Sequence, residues 1–244
     1  MLSTKRAVTQ DGRETEIHSN IDRDSVEKLR ELIRTVGAQK TLEVGMASGV
    51  STLAILGAHS GHHTAIDPNQ TSNGSDGWQG VGLTAVRNSG LEDRFTLLEE
   101  SSHLALPRLL SAGQEFDFIF IDGWHSFDYT FMDIFYSDLL LRDGGILAVD
   151  DWGMPQVAFA IKFLLTRKPY EQLGPQLYDP MSPLGKIRRK LSRNPDRDWG
   201  SIRAFRKLRS VQVHWHFFES EFYPWFGVYR LWMKLKGLKI NQPF

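Results

Sequence analysis

Cysteine is absent from this 244-residue chain, which excludes disulfides, thiolate metal sites and a thiolate nucleophile, and suits a reducing compartment. Net charge is absent as well: 29 Lys and Arg balance 29 Asp and Glu, so the chain as a whole exerts little pull on nucleic acid. No apolar run approaches the roughly 20 residues that span a bilayer, and Met1 to Arg6 lack the apolar core of a secretory signal. Internal repeats and low-complexity tracts are missing too. These absences leave one sizeable domain with an appendage, expected in the cytoplasm.

The distribution along the chain is uneven. Ten basic residues against Asp196 and Asp198 fall between Lys186 and Arg209. Nine aromatics follow between Trp215 and Trp232, and then Lys234, Lys236 and Lys239. Packing on the domain, a lid over an acceptor, a dimer interface and a peripheral anchor at the inner membrane surface all fit that tail. Nucleic-acid binding is not expected, because no recognition module accompanies the basic stretch.

Upstream, strands alternate with helices. Asp24 and Glu27 form a capping-box pattern ahead of Val26, Leu29, Ile33 and Val36 at helical spacing, ending at Gly37. Short apolar strands are predicted at residues 41–45, 64–67, 95–99, 116–121 and 146–149, with helices between them. The predicted class is therefore α/β, a parallel sheet with helices on both faces. A last pair of strands is predicted at 170–173 with 202–205, the alternative being 211–217 with 226–232.

Chemistry concentrates at strand ends. Glu43, Gly45, Gly49 and Ser51 form a glycine-bearing strand-to-helix turn, where the backbone lets a ligand approach and the helix start favours anionic groups. Asp67 ends the next strand, placed to accept from ribose hydroxyls. A dinucleotide fingerprint needs a further glycine among Met46, Ala47 and Ser48, and none is there, which disfavours NAD. Asp122 ends one later strand, with His125 three residues on, and Asp150 and Asp151 end another. Adjacent carboxylates repel unless a cation neutralises them. Three acids and an imidazole, which titrates near neutrality, are the parts of a hard-cation site with a general base.

The stretch from Leu42 to Ser51 resembles the first motif of the class I S-adenosylmethionine-dependent methyltransferases: an acid, one residue, Gly, three residues, Gly. The likeness runs from about Val36 to Leu165, with Leu139, Leu140, Asp143, Gly144 and Gly145 matching the helix and turn before strand five. It implies a doubly wound, mostly parallel seven-stranded sheet of Rossmann-like type over residues 1–209, with a basic insertion at about 174–200 and a basic, aromatic extension at 210–244. It further implies S-adenosylmethionine contacts from Glu43, Gly45, Gly49, Ser51, Asp67, Ser101, Ser102 and Asp122. Within that superfamily, Asp122, His125, Asp150 and Asp151 are similar to the site of metal-dependent O-methyltransferases. The resemblance implies a divalent cation, in the first place magnesium, on Asp122, Asp150 and Asp151, and catalysis by His125 and Asp122. Catechol-directed members usually carry lysine at the position of His125 and sugar-directed members often histidine, so the expected acceptor is a small hydroxylated molecule such as a sugar or glycosylated metabolite. A metal-independent methyltransferase, or a peripheral membrane or scaffold protein that keeps a nucleotide pocket, are the alternatives. A homo-oligomer is compatible with the tail.

Overall fold

The computed structural model describes residues 6–17, 21–74, 77–174, 201–211 and Leu235. The chain runs β1 (Arg6–Val8), β2 (Glu14–Glu16), α1 (Arg23–Val36), β3 (Lys40–Val44), α2 (Val50–Leu56), β4 (His62–Ile66), α3 (Val81–Asn88), β5 (Phe95–Leu98), α4 (Ser102–Ser111), β6 (Phe116–Ile121), α5 (Phe127–Leu140), β7 (Leu141–Val149), α6 (Pro155–Arg167), β8 (Tyr170–Leu173) and β9 (Arg203–Lys207). The main sheet has seven strands in the order β5-β4-β3-β6-β7-β9-β8. β3 to β7 pair in parallel, whereas β9 is antiparallel to β7 and to β8. This is the expected doubly wound sheet.

Side-chain alternation explains the layers. Leu42, Val44, Ile119, Ile121, Leu147 and Val149 enter one core with α4, α5 and α6, while Phe118, Phe120, Ile146 and Ala148 enter the other with α1 and α2. Central strands buried on both faces read as continuous apolar runs, and Ile119 to Ile121 is one. Chain direction reverses its progress across the sheet between β3 and β6. Crevices outside the carboxyl ends of strands at such a switch point are where open α/β sheets bind ligands.

Three expectations need correction. The cap of α1 is Asp22, whose carboxylate accepts from Ser25 N at 2.7 Å, and Asp24 lies within the first turn instead. Asp143, Gly144 and Gly145 do not form a turn ahead of the strand. They belong to β7, where the register shifts between Phe116 and Phe118 and absorbs the two glycines. The residues ahead of α1, which by their polarity read as an unstructured lead, contain the antiparallel hairpin β1–β2, which places Ala7 and Ile17 against Val81 of α3. Of the two candidate strand pairs the first forms, as 170–173 with 203–207, and the second lies outside the described residues. Lys207 fixes it from within, donating to the carbonyls of Asp138 at 2.6 Å and Leu141 at 2.7 Å. Tyr170 and Lys168 meet the Asp138 carboxylate at 3.0 and 2.7 Å. The expected basic insertion at about 174–200 and the aromatic tail after residue 211 lie outside the described residues, Gly174 and Leu235 apart.

Candidate active site

The turn after β3 is built for close backbone approach. Gly45 sits at φ 91°, its N–H donates to Ile66 O at 2.9 Å, and a Cβ there would stand 2.1 Å from the Asp122 carbonyl oxygen. No side chain fits between these two strand ends. Gly49 caps α2 at φ 82°, and a Cβ would lie 3.0 Å from Gly82 Cα. Ala47 also takes a positive φ of 47°, backbone strain of the kind that gathers at ligand sites.

Asp67, at the end of β4, holds that turn in shape. Its Oδ2 accepts from Met46 N at 3.1 Å, Ala47 N at 2.8 Å and Gln70 Nε2 at 3.1 Å, and its Oδ1 accepts from Asn69 N at 2.9 Å. The carboxylate is nevertheless on the wall of the larger cleft. Glu43 is not. It is fully buried beneath the turn, where Oε2 accepts from Thr52 Oγ1 at 2.5 Å and meets His63 Nε2 at 3.3 Å. Its part is to anchor α2 rather than to face a ligand, a correction to the expected contact. A side chain pointing down from the last turn of β3 lands on the α2 face of the sheet, and Glu43 does so.

Among the described residues, two cavities open at the carboxyl ends of the strands. The larger, about 670 Å³, is walled by Gly45, Asp67, Ser101, Ser102, Trp124 and Tyr129 among others; the smaller, about 230 Å³, is walled by Ser48, Ser51, His125, Asp150, Asp151 and Ser201 among others. Asp122 lines both. The expected cofactor positions thus divide: Gly45, Asp67, Ser101, Ser102 and Asp122 face the larger cavity, and Ser51 the smaller. Gly49 shapes the turn from behind.

At the junction the acids press on one another. Burial drives the Asp122 carboxyl well above the usual carboxylate range, and Asp150, Glu43 and Asp151 push it the same way. Burial also raises Asp150, opposed by the hydroxyl of Ser201, and its Oδ1 has no partner among the described residues. His125 Nε2 lies 3.8 Å from Asp122 Oδ1 and 3.3 Å from Asp151 Oδ2. Asp151 itself is held at φ 51°.

This donor set suits a hard cation in its chemistry, with three carboxylates on neighbouring strand ends and an orphaned buried oxygen. It is not assembled as expected, however. Among the described residues no three His, Asp or Glu side chains converge as a metal site. The His125 ring faces both Asp122 and Asp151.

Several site residues carry no local sequence signal. Ser201 arrives fifty positions after Asp151 and becomes a neighbour of Asp150 only because β9 pairs with β7. Ile21 and Asp22 reach the smaller cavity from the start of α1. Trp124 had a signal, an indole between Asp122 and His125, and it stands 69% exposed on the rim.

A family model described as a methyltransferase domain matches residues 42–152. Among curated proteins, tapetum-specific methyltransferase 1 of Arabidopsis thaliana is 30% identical over 125 residues, 49% of each chain. A caffeoyl-CoA O-methyltransferase of Populus kitakamiensis is 30% identical over 126 residues, again 49% of each. The chain thus spans about half the length of the curated relatives it matches. Among solved structures, an O-methyltransferase from Bacillus cereus in complex with SAH superposes with a TM-score of 0.58 at 16% identity, covering 78% of this chain and 84% of that one. The O-methyltransferase of Streptomyces achromogenes involved in tomaymycin synthesis, in complex with SAM, gives 0.53 at 19% identity, covering 63% and 74%. At these identities the structures establish the fold alone.

Proposed function

We propose, for a chain that carries a methyltransferase domain over residues 42–152, that it is an S-adenosylmethionine-dependent O-methyltransferase acting on a small molecule with adjacent hydroxyls. The observation that carries this reading is the meeting of two cavities at Asp122: a larger one beside the glycine turn and a smaller one lined by an imidazole and four acids, Asp22 among them. The larger cavity fits the cofactor because Gly45, on its wall, lets the ends of β3 and β6 close together without a side chain between them, as a strand end approached by a ligand requires. Asp67 would meet the ribose through Oδ1, and Ser101 and Ser102 would flank the adenine. When bound, the cofactor supplies an electrophilic methyl group on a sulfonium.

The chain's own residues do the rest. The smaller cavity holds the acceptor hydroxyl against His125. A proton taken from that hydroxyl is stabilised on the imidazole by Asp151, the carboxylate nearest Nε2. Packing of β3 against β6 keeps the two cavities in fixed relation, so the reacting atoms meet without a search. Asp122, Asp150 and Asp151 would hold a divalent cation, magnesium in the first place, which would make the acceptor hydroxyl more acidic.

Relatives named as caffeoyl-CoA enzymes favour a phenolic vicinal diol, and His125 in place of lysine favours a sugar; both present adjacent hydroxyls. A second reading, transfer without metal, is favoured by the His125 ring, which faces both Asp122 and Asp151. Transfer of a labelled methyl group to catechol and to a methyl glycoside, before and after chelation, tests these readings. Activity that vanishes on chelation and returns with magnesium supports the metal-assisted route, and activity indifferent to chelation supports the other. No transfer to any hydroxylated acceptor removes both.

No helix among the described residues is long and apolar enough to cross a membrane. Location in the cytoplasm, contact of the tail with a membrane surface and self-association remain part of this proposal, as do a methyltransferase domain of residues 1–209 and an extension beyond it.

A further inference from the structure

Asp133 sits in the middle of α5, 1% exposed, where the mechanism above has no use for it. Its neighbours are walls of the larger cavity. A Cβ built on Gly123 would lie 3.4 Å from Asp133 Oδ2, and the Ser102 hydroxyl, at the start of α4, is near enough to pull the carboxyl's pKa down. Both Gly123 and Ser102 line that cavity. The other oxygen, Oδ1, has no hydrogen-bond partner among the described residues. A buried carboxyl with an unmet oxygen therefore lies directly behind two walls of the cleft.

We propose that Asp133 is a positioning residue for the cofactor cleft, coupling cofactor binding to uptake of one proton. The inference rests on the reading of the larger cavity as the cofactor's. As a carboxylate, Asp133 is a buried charge with one oxygen unmet, which favours loosening of the Ser102 and Gly123 walls so that water can reach it. As a neutral acid it tolerates the dry, closed arrangement. A ligand that fills the cleft excludes water from those walls, deepens the desolvation of Asp133 and so favours its protonated form. Burial already pushes this carboxyl up to about 7, opposed by the Ser102 hydroxyl alone, and no charged side chain of α4, α5 or the turn at Gly123 contributes. The exchange thus falls in the neutral range.

Titration calorimetry of the full chain with S-adenosylhomocysteine, in two buffers of different ionisation enthalpy from pH 5.5 to 8.5, reads both affinity and proton uptake. Wild type is expected to take up a proton near pH 7 and to lose affinity roughly tenfold between pH 6 and 8, the effect of one pKa unit of displacement. Asp133→Asn should bind without proton uptake and with a flat profile over that range. Ser102→Ala, which removes the one group opposing burial, should move the midpoint to higher pH; it carries the test if the Asp133 variant does not fold. Unchanged proton uptake in Asp133→Asn, or an unmoved midpoint in Ser102→Ala, would overturn the proposal. Absence of binding by wild type at every pH would remove the cofactor reading itself and this inference with it.

Discussion

Single side chains set the chemistry, and each makes a separable contribution. His125→Ala is expected to lower kcat by roughly 10²- to 10⁴-fold, the usual worth of a positioned general base, while leaving the dissociation constant for S-adenosylhomocysteine nearly unchanged. A parallel loss of affinity would place the imidazole on the cofactor side. Asp133 has a stability consequence independent of its ligand role. Its folded-state pKa of about 7 lies above the ordinary 3.8, so its contribution to stability is fully present below about pH 4 and is lost as pH rises to about 7. The shift corresponds to something on the order of 4 kcal/mol. Asp133→Asn should therefore melt at a higher temperature than wild type at pH 8 and gain little at pH 5, and the opposite order in thermal scans would count against the assignment. Residues of this kind divide by how legible they were. Asp122, His125, Asp150 and Asp151 could be read from strand-end spacing, whereas the burial of Glu43 could not, because the side of the sheet its carboxylate faces depends on the pairing of β3 with β6.

At the level of elements, the turn between β3 and α2 is the most constrained piece of backbone. Gly45→Ala would place a methyl group 2.1 Å from the Asp122 carbonyl oxygen at a φ of 91°, so β3 and β6 would have to part at their ends. It is expected to destabilise the fold by about 2–4 kcal/mol and to abolish cofactor binding, as measured by urea denaturation and calorimetry; retention of binding would show that the two strand ends can separate freely. The antiparallel edge depends on Asp138. Its carboxylate faces Lys168, Tyr170 and Lys207, and Asp138→Ala leaves buried cations uncompensated at a cost of about 3–5 kcal/mol. Urea midpoints should fall while affinity for S-adenosylhomocysteine in the native range holds. Periodicity revealed the βα alternation because both-face burial leaves apolar runs in the sequence. The hairpin β1–β2 escaped notice because each strand has three residues and buries few of them; the Asp11-Gly12 pair at its bend was the available signal.

Across the whole molecule, an open sheet brings an acid from β6, two acids after β7 and a serine before β9 to one end, and the same end carries the glycine turn. Sequence order concealed the arrival of Ser201, since its distance from Asp151 along the chain is erased only by the antiparallel return of β9. For the aromatic segment beyond residue 211, the surface-anchor reading has its own test: co-sedimentation with anionic liposomes, comparing the intact chain with one ending at Arg209, is expected to show partitioning only for the intact chain if the segment acts as an anchor, and equal partitioning removes that role. What joins these observations is one statement, that the cavity beside Gly45 and Asp67 receives a sulfonium nucleoside and delivers it to Asp122. Calorimetric titration of the full chain with S-adenosylmethionine, with NAD as the comparison ligand and magnesium present throughout, tests it most directly. Saturable one-to-one binding of S-adenosylmethionine, weakened in Asp67→Ala and absent for NAD, is the predicted result; binding of NAD, or an affinity for S-adenosylmethionine untouched by Asp67→Ala, would contradict it.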